Sequence, residues 1–353
     1  MTNINRAQLL ASLEARVPYD VSKPLFELQK VSRGRGWSGT VDKLSDKKEL
    51  PDTKTGAILE ALRAHELCGE KLCRYFRCDA ATMTAIRSAV KNLSVATGPM
   101  KDAYPYLLDG NSLGKIALGQ PTLIAVESSH GGTALVFGSV RALKERMEVD
   151  PKSIPDGAAK IFANFDEIIG LKLVRHQAVD VVWVPDNGDV IDLRIDFPRG
   201  SSVDTGAGAQ ITLMKAFVKA IKTDPFGSPI NLFPLLKKMY DAPNEGRVVE
   251  LAFGTQTRST KHERMRVSAD SLRTELYHVG GKANLNAPVS PYRLSISYTV
   301  SLGGDIEAEP ELNLYSTNHI AENPNPQLFD ALIRKTVGFE DYEFVRERIL
   351  HFA

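Results

Sequence analysis

Apolar residues recur at three- and four-residue spacing in several separated stretches, and this spacing defines the helices the chain predicts. Residues 5–16 put Leu9, Leu10 and Leu13 on one side of a short amphipathic helix. Pro18 ends it, and residues 24–31 have room for a further turn or two. Residues 32–52 are polar, with three glycines and mixed charge, and read as a loop or linker. Helical periodicity returns from residue 54 to residue 93, followed by a turn-rich segment up to residue 109.

Beyond it the period changes. Residues 122–127 and 133–138 are β-rich runs around Ser128-Ser-His-Gly-Gly132, which predicts a hairpin with His130 in its loop. Residues 141–147 read as a helix, residues 150–157 as a domain boundary, and residues 158–169 as another helix. The clearest hairpin joins residues 178–184 to 190–197 through Pro185-Asp-Asn-Gly-Asp189, where Asn-Gly supplies the left-handed turn. Helices are expected at 210–222, 230–240, 327–335 and 342–352, with strands near 247–253, 292–301 and 311–315. Strands do not alternate regularly with helices, so the expected fold is α+β with antiparallel hairpins. The expected units are a helical module over residues 1–100, a hairpin-containing region over 101–157 and an α+β domain over 158–353.

Composition narrows the class without naming a function. The 353 residues are 43% hydrophobic and 25% charged, the usual mix of a folded globular chain. The net charge of +1 hides a division: residues 1–100 carry 16 Lys/Arg and 11 Asp/Glu, a net +5, and the remainder carries a net −4. That asymmetry hints at a polyanion partner for the first hundred residues, although charge alone favours an ordinary solvated surface. The first residues lack a secretory pattern, no apolar run approaches the length that spans a bilayer, and three cysteines make no disulfide framework. A cytoplasmic protein without a membrane partner is the expectation.

Within residues 54–93, residues 55–66 form a first helix with Ile58, Leu59 and Leu62 inward. A turn at Leu67-Cys-Gly69 leads to an expected two-turn helix over residues 70–76, with Leu72, Cys73 and Phe76 inward. Asp79 caps a third helix over residues 80–93, in which Met83, Ile86, Val90 and Leu93 define the packed face. This stretch resembles the helix-turn-helix of winged-helix DNA-binding proteins, with Arg77 where the family usually has glycine. The resemblance implies a recognition helix in the major groove. Thr82, Thr84, Arg87, Ser88 and Lys91 would then face DNA, and Lys71 and Arg74 would clamp phosphates. The competing reading is a three-helix bundle that only packs against the rest of the chain.

Other motifs suggest chemistry, each beside a structural alternative. His65, Cys68, Cys73 and Cys78 fall close enough to surround zinc, but their spacing also suits small buried residues. Gly110-Asn-Ser-Leu-Gly114 matches the nucleophile elbow in outline, without a convincing strand before it. Val203-Asp-Thr-Gly-Ala207 matches the aspartic-protease signature once, and the same glycine-rich segment reads as a loop ahead of a helix, where N–H groups could meet a phosphate. Asp180, Asp192 and Arg194 loosely resemble a restriction-type nuclease core that would hold Mg²⁺, although arginine replaces the lysine and cannot act as a base. Arg258, Lys261, Arg264, Arg266 and Arg273 form a second basic cluster. Arg33-Gly-Arg-Gly-Trp37 reads as a basic loop beside an aromatic, and Asp305, Glu307, Glu309 and Glu311 as an acidic edge facing solvent or a basic partner.

The sequence therefore predicts a regulator that binds double-stranded DNA, with a C-terminal part that senses, dimerises or recruits, and no cofactor. The alternatives are an Mg²⁺-dependent nuclease and an interaction or assembly protein with no nucleic-acid role.

Overall fold

The first helices form because their apolar stripes meet one another. In the computed structural model, which describes residues 4–150, 153–162, 164–255, 259–267, 269–285 and 287–353, α1 (Arg6–Arg16), α2 (Tyr19–Leu28), α3 (Gly36–Ser45) and α4 (Asp52–Cys68) build one layer. Leu9, Leu10, Leu13, Phe26, Leu44, Ile58 and Leu62 are its buried centre. α3 stands where a linker was expected. Its Thr40 and Leu44 are buried, and Trp37 donates from Nε1 to the Val17 carbonyl at 2.9 Å. The Arg33–Trp37 segment is therefore built into this layer, with Arg33 stacked 4.2 Å over the Tyr19 ring.

After α4 the chain enters the sheet. β1 (Lys71–Arg77) occupies the segment expected to be the middle helix of the helix-turn-helix. Its side chains alternate between two buried faces, so both kinds of neighbour are apolar and the two-residue period was masked. α5 (Ala80–Lys91) follows with the expected Asp79 cap, the carboxylate accepting from Thr82 N at 2.7 Å. α6 (Pro99–Ala103) and α7 (Gly110–Gly114) are short.

β2 (Thr122–Ser129) and β3 (Gly132–Glu148) make the expected hairpin, but β3 continues through residues 141–147, where a helix was expected. α8 (Asp156–Phe162) leads to β4 (Ile169–Pro185), β5 (Val190–Asp196) and α9 (Val203–Ile221). Gly188 takes a φ of +97° in the predicted Asn-Gly turn. α9 begins at Val203, so the expected glycine-rich loop is the first turns of a helix capped by Ser202. There follow α10 (Phe233–Asp241), β6 (Arg247–Gly254), β7 (Thr260–Arg264), α11 (Leu276–Ala283), β8 (Ser290–Ser297), β9 (Val300–Ser301), β10 (Glu307–Ala308), β11 (Glu311–Tyr315) and α12 (Asn318–Ala321). β12 (Ala331–Arg334), where a helix was expected, and α13 (Phe339–Phe352) come last. In β12 the run Ala331-Leu-Ile is buried, and its backbone is taken up by β1 and β11.

Among the described residues ten strands form one antiparallel sheet in the order β2-β3-β4-β5-β1-β12-β11-β8-β6-β7. Strands from all three expected units therefore pair in the same sheet. The fold is α+β: a helical layer followed by a mixed region with antiparallel hairpins. One face is packed by α10, α13 and the end of α4 around Tyr75, Val181, Trp183, Leu235 and Tyr342. On the other, α5 and α9 cover Phe76, Phe137, Val182 and Leu193 with Met83, Ile86, Leu213 and Phe217. No helix among the described residues is long and apolar enough to cross a membrane.

Candidate functional site

The face of α5 offered for DNA is only partly free. Arg87 donates from Nε to the Pro185 carbonyl at 2.8 Å and from a terminal nitrogen to the Gly188 carbonyl at 2.6 Å, fastening α5 to the β4–β5 turn. Thr82 is engaged with its cap Asp79, and the Thr84 hydroxyl donates to the Ala80 carbonyl at 2.8 Å. Ser88 and Lys91 are exposed. The two residues assigned to phosphate clamping are placed otherwise. Lys71 has no exposed surface and donates to the Val179 carbonyl at 2.8 Å, and Arg74 is tied to Asp330 by two bonds of 2.9 and 2.8 Å. Both corrections follow from β1 being a central strand, which turns Lys71 into the packed interior.

The nuclease residues do not converge. Asp192 and Arg194 share a face with Val181 and Trp183, their cross-strand partners. Asp180 points to the opposite face by strand alternation and is paired with Arg141. Asp192 Oδ2 is held by Arg194 at 2.9 Å and by Arg346 at 2.7 Å, and the Arg194 guanidinium lies 4.2 Å from the Tyr342 ring centroid. This is a neutralised core cluster, and among the described residues no group of three or more His, Cys, Asp or Glu is placed to hold a metal. Cys68, Cys73 and Cys78 are buried free thiols. Burial pushes the Cys68 and Cys73 thiols up to about 12, the opposite of a metal-binding or nucleophilic thiolate.

The other motifs also settle into structural roles. Ser112 belongs to α7, its hydroxyl bonded to the capping Asp109 at 2.9 Å, with no elbow. Asp204 lies in the first turn of α9. His130 stacks on Phe339 at 4.2 Å between ring centroids. In the basic cluster Arg273 is caged by the carbonyls of Met239, Tyr240, Glu245 and Gly246; Lys261, Arg264 and Arg266 are exposed; and Arg258 lies outside the described residues. Two members of the acidic edge have cationic partners within the chain, Glu309 with Arg247 and Glu311 with Lys335.

A second buried ionic cluster joins the helical layer to the sheet. Arg16 at the end of α1 reaches Glu66 of α4 at 2.6 Å and Asp196 of β5 at 2.7 Å, and Lys71 lies 3.8 Å from Asp196. Burial alone would raise the Asp196 carboxyl, but Arg16 and Lys71 hold it well below the usual carboxylate range. His176 adds a contact to Asp196 at 3.1 Å. Every charge here has a partner, so the cluster is a fastening within the fold.

What the sequence reading missed is the outer half of β3 and β4. The two strands pair from Gly132–Pro185 to Glu148–Ile169, whereas β2 is in register with β3 only as far as Gly138, and β5 with β4 only at Val181–Trp183. Beyond them β3 and β4 run on as a two-stranded arm, joined at its end through α8. Of the fifteen large apolar residues exposed among the described residues, six lie between positions 147 and 173, the densest exposed apolar stretch. Leu171 and Leu173 are 73% and 65% exposed on one face of β4, and Ile161 and Phe165 near the tip are 70% and 61% exposed. The sequence signal was present in Ile169-Gly-Leu-Lys-Leu, which alternates with a two-residue period, but the turn-rich residues 150–157 before it read as a domain boundary and residues 158–169 as a helix.

No family model, curated protein or solved structure matches the chain.

Proposed function

We propose that the chain is an assembly protein and that the β3–β4 arm joins it to a second copy of itself. The observation that carries this reading is the concentration of exposed leucine, isoleucine and phenylalanine on an element that projects from the sheet. Burying such a side chain is worth about 1.5 to 3 kcal/mol, and left in water it contributes nothing to the fold. The charge of the arm fits a self-complementary contact. Residues 143–174 hold five Lys/Arg and six Asp/Glu, so the segment has no excess to attract a polyanion, and an isologous interface needs both signs on one surface. Light scattering over a concentration series tests it. The unaltered chain is expected to form dimers or larger closed assemblies, and Leu171→Lys with Leu173→Lys to leave monomers. A monomer at every concentration would reject the reading.

DNA binding through α5 is a second reading, favoured by the exposed Thr84, Ser88 and Lys91 on one side of that helix. With Arg87, Arg74 and Lys71 engaged inside the chain, Lys91 is the one phosphate contact it retains among the residues first assigned to it. Lys91→Ala is then expected to reduce the salt dependence of duplex binding by about 0.9 in log–log slope. An unchanged slope, or no binding at low salt, would remove it.

A further inference from the structure

The outer end of the sheet carries a polar constellation that neither the arm nor α5 uses. Along β6, β7, β8 and β11, one face presents Glu250, His262 and Arg264, Arg293 and Ser295, and Asn313 and Tyr315 in cross-strand rows. Glu250 is buried, and its Oε1 takes two neighbours at once: His262 Nε2 at 2.8 Å and Arg293 Nε at 2.6 Å. One oxygen thus holds an imidazole and a guanidinium side by side. The Arg293 guanidinium also lies 3.7 Å from the Tyr315 ring centroid, and the Tyr315 hydroxyl is fixed by Asn313 Oδ1 at 2.7 Å and Glu250 Oε2 at 3.3 Å. Arg264 is the cross-strand partner of Glu250 and is exposed. The His262 side chain is 54% exposed, so its free edge meets solvent.

The chemistry of this arrangement is specific. A carboxylate accepts only, so the contact to Glu250 places a proton on His262 Nε2, and in that tautomer Nδ1 is the acceptor on the ring's other edge. Beside it are two guanidinium groups against one carboxylate, a local positive excess. A ligand that satisfies both must carry anionic oxygens for Arg293 and Arg264 and a hydroxyl for Nδ1. Near neutral pH inorganic phosphate keeps at least one P–OH, whereas sulfate has none. We propose that Glu250, His262, Arg264 and Arg293 form a binding site for a protonated phosphate-type oxyanion, in which Glu250 positions the two side chains that contact it.

Calorimetric titration of the full chain with inorganic phosphate, and in parallel with sulfate, tests this near neutral pH. Saturable phosphate binding tighter than sulfate is expected. Arg293→Gln should weaken it about tenfold. His262→Gln, which can still donate to Glu250 but offers no ring acceptor, should abolish the preference over sulfate. Arg264→Gln, at an exposed position, keeps the test readable if Arg293→Gln lowers the melting temperature, and should also weaken phosphate. Absence of saturable binding, equal affinity for the two anions in the unaltered chain, or phosphate affinity untouched by the substitutions would each overturn the assignment.

Discussion

His65 and Asp341 set opposing pH dependences within a few residues of the same backbone turn. His65 contacts the Thr336 carbonyl through Nδ1 at 3.1 Å, and Asp341 accepts from the amides of Val337 at 2.7 Å and Gly338 at 3.0 Å. Burial first, then Arg16 and Lys71, lowers His65 to about 4, so the fold holds a neutral ring. The unfolded chain takes up that proton first as pH falls from about 6.5 to 4, and stability is lost over this window, by about 3 kcal/mol at most. Burial raises Asp341 to about 6 despite its amide bonds. Here the folded chain binds the proton first, so stability is gained as pH falls from about 6 to 4 and lost again as it rises. The two effects offset one another in the unaltered protein. In Asp341→Asn the histidine acts alone: urea midpoints measured across this window should fall by an amount equivalent to about 3 kcal/mol, against a flatter profile for the parent. Equal profiles would show that one of the two groups titrates without perturbation. Gly69, which caps the C-terminus of α4, packs on the same ring: a Cβ there would stand 2.2 Å from His65.

At the scale of elements, the arm is separable from the core. Val140 and Gln177 are the last buried positions on β3 and β4, and outward from Lys144 and Leu173 the side chains are largely solvent-facing. Replacing residues 144–173 by an Asn-Gly turn, which joins the cross-strand partners Leu143 and Val174, should leave the melting temperature within a few degrees of the parent while removing self-association. A collapse of the near-ultraviolet spectrum in that variant would show that the arm supports the fold. Among the elements legible from sequence, α1, α4, α5, α10 and α13 have one wet face; the β4–β5 hairpin, buried on both faces, was legible from its Asn-Gly turn at Gly188, and β2, β6, β8 and β11 from their apolar runs. β1 was read as a helix because Leu72, Cys73 and Phe76 also fit helical spacing, and because Arg74 between them suggested a surface. The arm failed for the opposite reason: no face of it is buried, so the alternation of Ile169, Leu171 and Leu173 is a short pattern that meets no core. Of the site residues, the α5 face was predictable as a face. The Arg87 anchorage to Pro185 and the shared Glu250 oxygen depend on contacts between segments 98 and at least 12 residues apart, which no local pattern reports.

The molecule as a whole depends on fastenings between its layers, and Arg16 is the central one. It is buried, bridges α1 to α4 and β5, and answers two carboxylates that have little other access to positive charge apart from Lys71 and His176. Arg16→Leu should cost about 3 to 5 kcal/mol, because it leaves Glu66 as an uncompensated buried charge and Asp196 with only Lys71 and His176. Differential scanning calorimetry checks this, and a loss below about 1 kcal/mol would show that the cluster rearranges around the gap.

The strand order also has a meaning in time. β1, complete once residue 77 has been made, sits at the middle of the sheet between β5 and β12, and its pairing with β12 waits for residues 331–334. During synthesis β1, the first strand among the described residues, therefore holds an open edge for more than two hundred and fifty residues, with Lys71 and its partners half assembled beside it. Contacts so distant along the chain close slowly, and unpaired edges invite association in the meantime. A ribosome-bound chain of this protein is predisposed to need an attendant that covers β1 until the last strand arrives.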